Sequence, residues 1–330
     1  MNRIRRFVRR HLRARQAEQK RSDRPQQDRP PQPPVEVQRT PPPPPAREFE
    51  LPLPRRDGDL DAEPAALAFS APRGLWVPRK LENRGLAGFE PETVACFLAA
   101  LDYARPGAVL DVGANVGLYG LLAAARCHRA VYSFEPTPRV AAAARKLAAA
   151  NDLPVEVVEL AMSDRSGEAA LSISSMSDAS NSLAEGFRPS TDRIQVEVDT
   201  LSGWCERTGT SPAVIKIDTE TTEPDVIAGG HDVLRESRPW VFCEVLPGHG
   251  AEKRLMESLR PLGYTWYQLN GELPAPAPAT IDGPGADHHQ RMWLFAPERP
   301  TDAMWKRADE WSRALRDCAP VPAETSHEPA

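Results

Sequence analysis

The stretch VLDVGANVGLYG, Val109 to Gly120, constrains this chain most. An apolar run closes on an acid, glycines follow at Gly113, Gly117 and Gly120, and an apolar helical pattern then begins. Such a segment turns a strand sharply into a helix and lets a ligand approach the backbone.

The rest of the chain extends that pattern. Helix-like and strand-like segments alternate. Glu90 to Tyr103 reads as a helix, Ala108 to Val112 as a strand, Val116 to Cys127 as a helix, Ala130 to Phe134 as a strand, Pro138 to Ala150 as a helix and Val155 to Leu160 as a strand. Extended runs at Ala169–Ile173 and Ile194–Val198 flank the Ser-rich loop Ser174 to Ser182. A short helix at Leu201–Arg207, a strand at Ala213–Ile217, a helix at Pro224–Glu236, a strand at Trp240–Val245 and a helix at Gly250–Leu262 follow. Tyr264–Leu269 and Arg291–Phe295 read as two strands able to pair antiparallel. Strands separated by helices imply an α/β fold with a largely parallel sheet.

Before this body the sequence changes character. Residues 1–21 carry nine Lys or Arg against the single Glu18, with Ile4, Phe7, Val8 and Leu12 at helical spacing. This basic amphipathic pattern reads either as a contact for a membrane surface or acidic partner, or as a solvated tail. Residues 22–61 are rich in proline, with PPQPP and PPPPP runs, and read as a disordered polyproline spacer or a docking ligand. Order is expected to begin between Asp61 and Gly74, giving a folded domain over 62–317 and a disordered tail over 318–330. The overall charge of −5 therefore hides a more acidic body, which argues against an enzyme that grips nucleic acid over its whole surface. Five scattered cysteines, none in C-x-x-C spacing, suit a reducing compartment, and a cytoplasmic, or membrane-peripheral, location is expected.

A dinucleotide turn needs G-x-G-x-x-G, but from Gly113 the second and third glycine positions hold Asn115 and Leu118, which disfavours an oxidoreductase. Asp111 two residues before Gly113, and Glu135 at the end of the next strand, suit a cationic ligand with a ribose whose hydroxyls an acid can accept. Asp111, Gly113 and Gly117 resemble motif I of class I S-adenosylmethionine-dependent methyltransferases. More narrowly, DVGANVG at Asp111–Gly117, FEP at Phe134–Pro136, AMSDRSG at Ala161–Gly167, KIDTETTE at Lys216–Glu223 and PWVFCEV at Pro239–Val245 resemble, in order, the motifs of the FkbM methyltransferase family, and RMWLF is similar to its last strand. One residue departs: Thr221 stands where the family has glycine, which puts the loop conformation and the substrate class in question.

The resemblance implies a Rossmann-like class I methyltransferase fold: a mostly parallel sheet with an antiparallel C-terminal strand and helices on both faces. It assigns S-adenosyl-L-methionine to Asp111, Gly113, Asn115, Gly117 and Glu135, with Met162, Ser163 and Asp164 near the adenine end. It implies O-methylation of a small molecule, sugar or glycan, and the acidic body leads us to expect no nucleic-acid partner. Lys216, Asp218, Glu220 and Glu244 are the catalytic candidates, because an unactivated hydroxyl needs a general base. Lys216 would neutralise or orient the acids, Asp218 would touch cofactor or substrate, and Glu220 or Glu244 would be the base. Glu223 reads as an acid complementing the dipole of the helix that follows. Asp218, Glu220 and Glu244 could hold magnesium, but their spacing is not diagnostic and no metal is assigned. His288 and His289 read as a solvated loop or a lid. A methyltransferase-like scaffold without turnover, tethered by its proline-rich arm, is the rival from another class.

Overall fold

Every residue of AVLDV, the strand β3 (Ala108–Val112), is buried, as a strand covered on both faces must be. In the computed structural model, which describes residues 46–56, 64–282 and 291–318, β3 lies inside a seven-stranded sheet. Its order is β5 (Val155–Val158), β4 (Val131–Phe134), β3, β9 (Pro212–Ile217), β10 (Trp240–Glu244), β12 (Met292–Ala296) and β11 (Thr265–Gln268). The first five are parallel, and β12 runs antiparallel to both β10 and β11. The chain leaves β3 toward β4 and β5, then crosses to β9 on the other side. The strand order therefore reverses between β3 and β9, and a crevice opens beyond their carboxyl ends.

Period-two alternation divides the core. Val109, Val214, Phe242 and Leu294 pack under α2 (Pro91–Tyr103), α3 (Leu118–Arg126), α4 (Pro138–Ala150) and α9 (Asp302–Arg316). Leu110, Ile215, Val241 and Phe295 pack under α5 (Leu201–Thr208), α6 (Glu223–Gly229), α7 (His231–Glu236) and α8 (Ala251–Leu259). Helices thus cover both faces, the α/β architecture that the sequence implies. A smaller three-stranded sheet, β6 (Ala161–Ser163), β8 (Ser190–Thr200) and β7 (Gly167–Ser174), carries the Ser-rich loop, with Leu171, Val196 and Val198 as its core.

Several expectations need correction. Ordered structure starts earlier than Asp61: β1 (Arg47–Pro52) pairs antiparallel with β2 (Ala66–Ala71) inside the stretch given to the spacer. Phe49 and Leu51 alternate with acids there, and Phe49 stacks on Phe69 at 5.0 Å, so a buried face repays the ordering of this strand. The helix expected over Pro224–Glu236 is two helices that meet at Gly230, whose φ of −96 and ψ of 8 leave the helical range, and the Gly229 before it presses against β6. A Cβ on Gly229 would sit 2.0 Å from the Ser163 carbonyl oxygen.

The helices α1 (Trp76–Arg84) and α9 were not anticipated. In α9, Met304, Trp305, Ala308, Trp311 and Leu315 make one buried stripe, and Thr301 Oγ1 accepts the Met304 N–H at 3.2 Å as its cap. Trp266, Trp293 and Trp305 are buried in the core. Among the described residues no helix is long and apolar enough to cross a membrane. Residues 1–45, 57–63, 283–290 with His288 and His289, and 319–330 lie outside those described.

Candidate active site

The glycine turn is fixed by what it touches. Gly113 has φ +73, and a Cβ there would lie 1.8 Å from the Asp218 carbonyl oxygen, so only glycine lets the β3 and β9 strand ends meet. The Asp218 N–H donates to the Val112 carbonyl at 3.0 Å and closes the same junction. Asn115, with φ +50, aims its N–H at Glu135 Oε2 at 3.0 Å, and the Thr137 N–H donates to Glu135 Oε1 at 2.8 Å. Both oxygens of this buried carboxylate are thus oriented by backbone, and each keeps a further lone pair. Burial pushes the Glu135 carboxyl up to about 7 against these hydrogen bonds.

A cavity of about 990 Å³ opens beyond the strand ends, at the upper end of the usual range for small-molecule sites, roughly 300–1,000 Å³. Gly113, Asn115, Glu135, Thr137 and Met162 line one part of it, and Glu90, Asp218, Glu220, Glu244 and Arg291 another. α1 and the Ser-rich loop form further walls. Asp178 in that loop accepts from the Trp76 N–H at 2.7 Å and from Asn115 Nδ2 at 3.2 Å, tying loop, helix and turn together. Ser182 Oγ donates to the Glu220 carbonyl at 2.6 Å and ties the loop's far end to the β9 turn.

Not every expected residue reaches this cavity. Asp111 lies beneath the turn, where its Oδ2 accepts the Gly120 N–H at 3.0 Å, and it does not line the cavity. Its position pins the first turn of α3 and faces Lys216, its cross-strand neighbour. Burial raises the Asp111 carboxyl to about 6 against the pull of Lys216. Gly117 sits at the start of α3 with φ +80, and Ser163 is buried behind Met162. Asp164 is exposed and paired with Arg165 at 3.2 Å, outside the cavity.

Lys216 is the electrostatic centre of the β9 side. Its Nζ donates to Asp218 Oδ2 at 3.0 Å and lies 4.9 Å from the Tyr119 ring centroid. Tyr119 in turn donates its hydroxyl to Glu90 Oε2 at 2.8 Å. Burial disfavours the charge on Lys216, but Asp218, Glu90 and Asp111 outweigh it and raise its pKa. Lys216 thus holds the acids around it in place through its ion pair with Asp218.

Around it the carboxylates crowd. Burial and the neighbouring Asp218 and Glu223 push the Glu220 carboxyl up to about 8. Burial, with Asp218, Glu220 and Glu223 beside it, lifts Glu244 well above the carboxylate range. Glu223 does more than complement the dipole of α6. It is fully buried, and its Oε1 accepts the Thr219 N–H at 2.8 Å and the Thr221 N–H at 3.3 Å. These bonds hold a turn in which Glu220 has φ +58 and Thr221 φ +85. The conformation a glycine would permit is therefore kept with threonine in its place. Glu90, Tyr119 and Asp178 carried no mark in the sequence. Each reaches the site only because the fold brings its segment to the strand ends.

The profile of the methyltransferase FkbM domain matches residues 111–273. The 2-O-methyltransferase NoeI of Sinorhizobium fredii (strain NBRC 101917 / NGR234) is 30% identical over 192 residues, which cover 53% of this chain and 76% of that protein. The chain belongs to the FkbM methyltransferase family. Among solved structures, the FkbM methyltransferase of Methylobacillus flagellatus KT aligns over 58% of this chain and 43% of its own, with 12% identity and a TM-score of 0.37. A SAM-dependent methyltransferase from Agrobacterium tumefaciens aligns over 76% of this chain and 70% of its own, with 12% identity and a TM-score of 0.39. In this FkbM-family methyltransferase, the five motifs read from the sequence all fall at or beside the strand ends that frame the cavity.

Proposed function

We propose that this methyltransferase takes its methyl group from S-adenosylmethionine and places it on a hydroxyl of a small molecule or glycan. The observation that carries the reading is Glu135, buried at a strand end, oriented by two backbone N–H groups and lining the same cavity as Glu220 and Glu244. The residues fit an adenosyl group: a carboxylate with spare lone pairs for two ribose hydroxyls, and a glycine turn whose backbone a ligand can approach. When bound, S-adenosylmethionine supplies a methyl group activated by a sulfonium.

The chain's own part is then to hold an acceptor in line and to remove its proton. Glu220 suits the second task. It lines the cavity, and its backbone is fixed by Ser182. The oxygen acceptor is supported by the 2-O-methyltransferase name of the 30% identical relative.

Calorimetry of S-adenosylmethionine with the full chain tests the cofactor, and transfer of labelled methyl to hydroxyl-bearing glycans tests the acceptor class. Binding with transfer to a hydroxyl is the expected result. A folded protein that binds no S-adenosylmethionine would overturn the reading.

A further inference from the structure

The geometry points to a site for a hard divalent cation of the magnesium or calcium class, held by Asp218, Glu223 and Glu244 at the acceptor side of the cavity. Carboxylate oxygens from these three residues lie within 4.8 Å of one another. Oxygens bound to one such ion sit roughly 2.0–2.6 Å from it, so any two are at most about 4–5 Å apart. The three side chains are therefore already at the spacing of a single coordination shell.

A second observation is independent of that spacing. Glu223 is fully buried and uses Oε1 on the Thr219 and Thr221 turn, while its Oε2 has no hydrogen-bond partner among the described residues. Glu244 is also buried at the end of β10, and its Oε2 likewise has none. Buried carboxylate oxygens are costly to leave without a partner. Here both orphans belong to side chains that contribute to the same cluster.

The charges nearby do not settle this excess. Lys216 is committed to Asp218 at 3.0 Å, and Arg291 stands 3.9 Å from Glu244, while Glu220 adds a fourth acid. A hard cation matches the donor set, which is all carboxylate with no thiolate or imidazole. Asp218 and Glu244 line the cavity and Glu223 lies behind them, so open coordination positions would face the acceptor. There the ion would bind acceptor oxygens and lower the pKa of the hydroxyl beside Glu220. This last use rests on the proposed hydroxyl methylation; the ion site itself does not.

The probe is Mn²⁺ alone, followed by electron paramagnetic resonance on the full chain. One Mn²⁺ per chain, displaced by Mg²⁺ or Ca²⁺ and weakened by roughly tenfold or more in Glu244→Gln and in Glu223→Gln, is the expected result. Asp164→Asn, a surface acid outside the cavity, should leave binding unchanged. Circular dichroism checks each variant for folding; if Glu223→Gln unfolds because its turn is lost, Glu244→Gln and the competition carry the test. No stoichiometric Mn²⁺ on the folded wild type, or equal binding in folded Glu244→Gln, would overturn the site. Calorimetry of S-adenosylmethionine on the same samples separates the two readings. Cofactor binding without Mn²⁺ sinks only the ion site, and Mn²⁺ without cofactor binding sinks only the methyl-donor reading.

Discussion

Asn115 gives its backbone N–H to Glu135 Oε2 at 3.0 Å, joining the glycine turn after β3 to the acid that ends β4. The turn and the acid are thus one unit, and a change at Glu135 is felt in both.

Glu135→Gln keeps one acceptor oxygen and replaces the other with a donor, so the amide cannot serve Asn115, Thr137 and a ribose together. Affinity for S-adenosylmethionine should fall by about 1.5–3 kcal/mol, the range for hydrogen bonds to a charged group. Titration calorimetry of the wild type and variant measures this directly. Equal affinities would remove Glu135 from the cofactor site.

Burial of acids also sets a pH dependence. Glu135 rises from 4.5 to about 7 on folding and Asp111 from 3.8 to about 6, burial being the largest cause for both, with Asp178 adding to the rise at Glu135 and Lys216 opposing it at Asp111. Between the unfolded and folded values the folded chain holds protons that the unfolded chain has released, so stability falls as pH rises. The loss begins near pH 4 and is complete for these two groups above about pH 7. Glu135 alone accounts for ~3 kcal/mol of it. Melting temperature of the ligand-free protein should fall across this window, and Glu135→Gln should flatten the fall. A melting temperature that rose with pH would contradict the buried, high-pKa acids.

Lys216→Met tests the cation at the centre. The substitution matches the side chain's length but leaves Asp218, Asp111 and Glu90 without their shared partner. Removing one member of a buried ion pair costs about 3–5 kcal/mol. Urea unfolding should show a loss of that size at neutral pH and a smaller one in acid, where the stranded carboxyls take up protons. A loss independent of pH would mean that packing against Tyr119, and not charge, is what Lys216 provides.

How far the sequence reaches can be judged at particular residues. The strand-turn-helix at Val109–Gly120 was legible because periodicity, glycine and acid are all local: β3 spans the residues expected of it, and α3 starts at Leu118, two residues after the expected Val116. Glu135 was legible as a strand-end acid for the same reason. Asp111 was legible as the acid before the glycine turn, but only β9 beside it shows that its side chain faces Lys216 and the Gly120 N–H. Glu223 looked like an ordinary first-turn acid. Its engagement by Thr219 and Thr221 depends on left-handed backbone at Glu220 and Thr221, which no sequence pattern announces. α9 did carry a readable apolar stripe, and β1 a readable alternation, but proline-rich surroundings hid the second.

Thr221 offers the last test, because the residue and its conformation disagree. At φ +85 a β-branched side chain occupies backbone that suits glycine, at a cost of roughly 1–2 kcal/mol for a left-handed non-glycine residue. The turn persists because Glu223 accepts its N–H groups and Ser182 holds the Glu220 carbonyl. Thr221→Gly should therefore stabilise the protein by up to about that amount, less the entropy that glycine adds to the unfolded chain. Denaturant midpoints of the two proteins decide it. A destabilised Thr221→Gly would show that the threonine side chain contributes packing that outweighs its backbone strain.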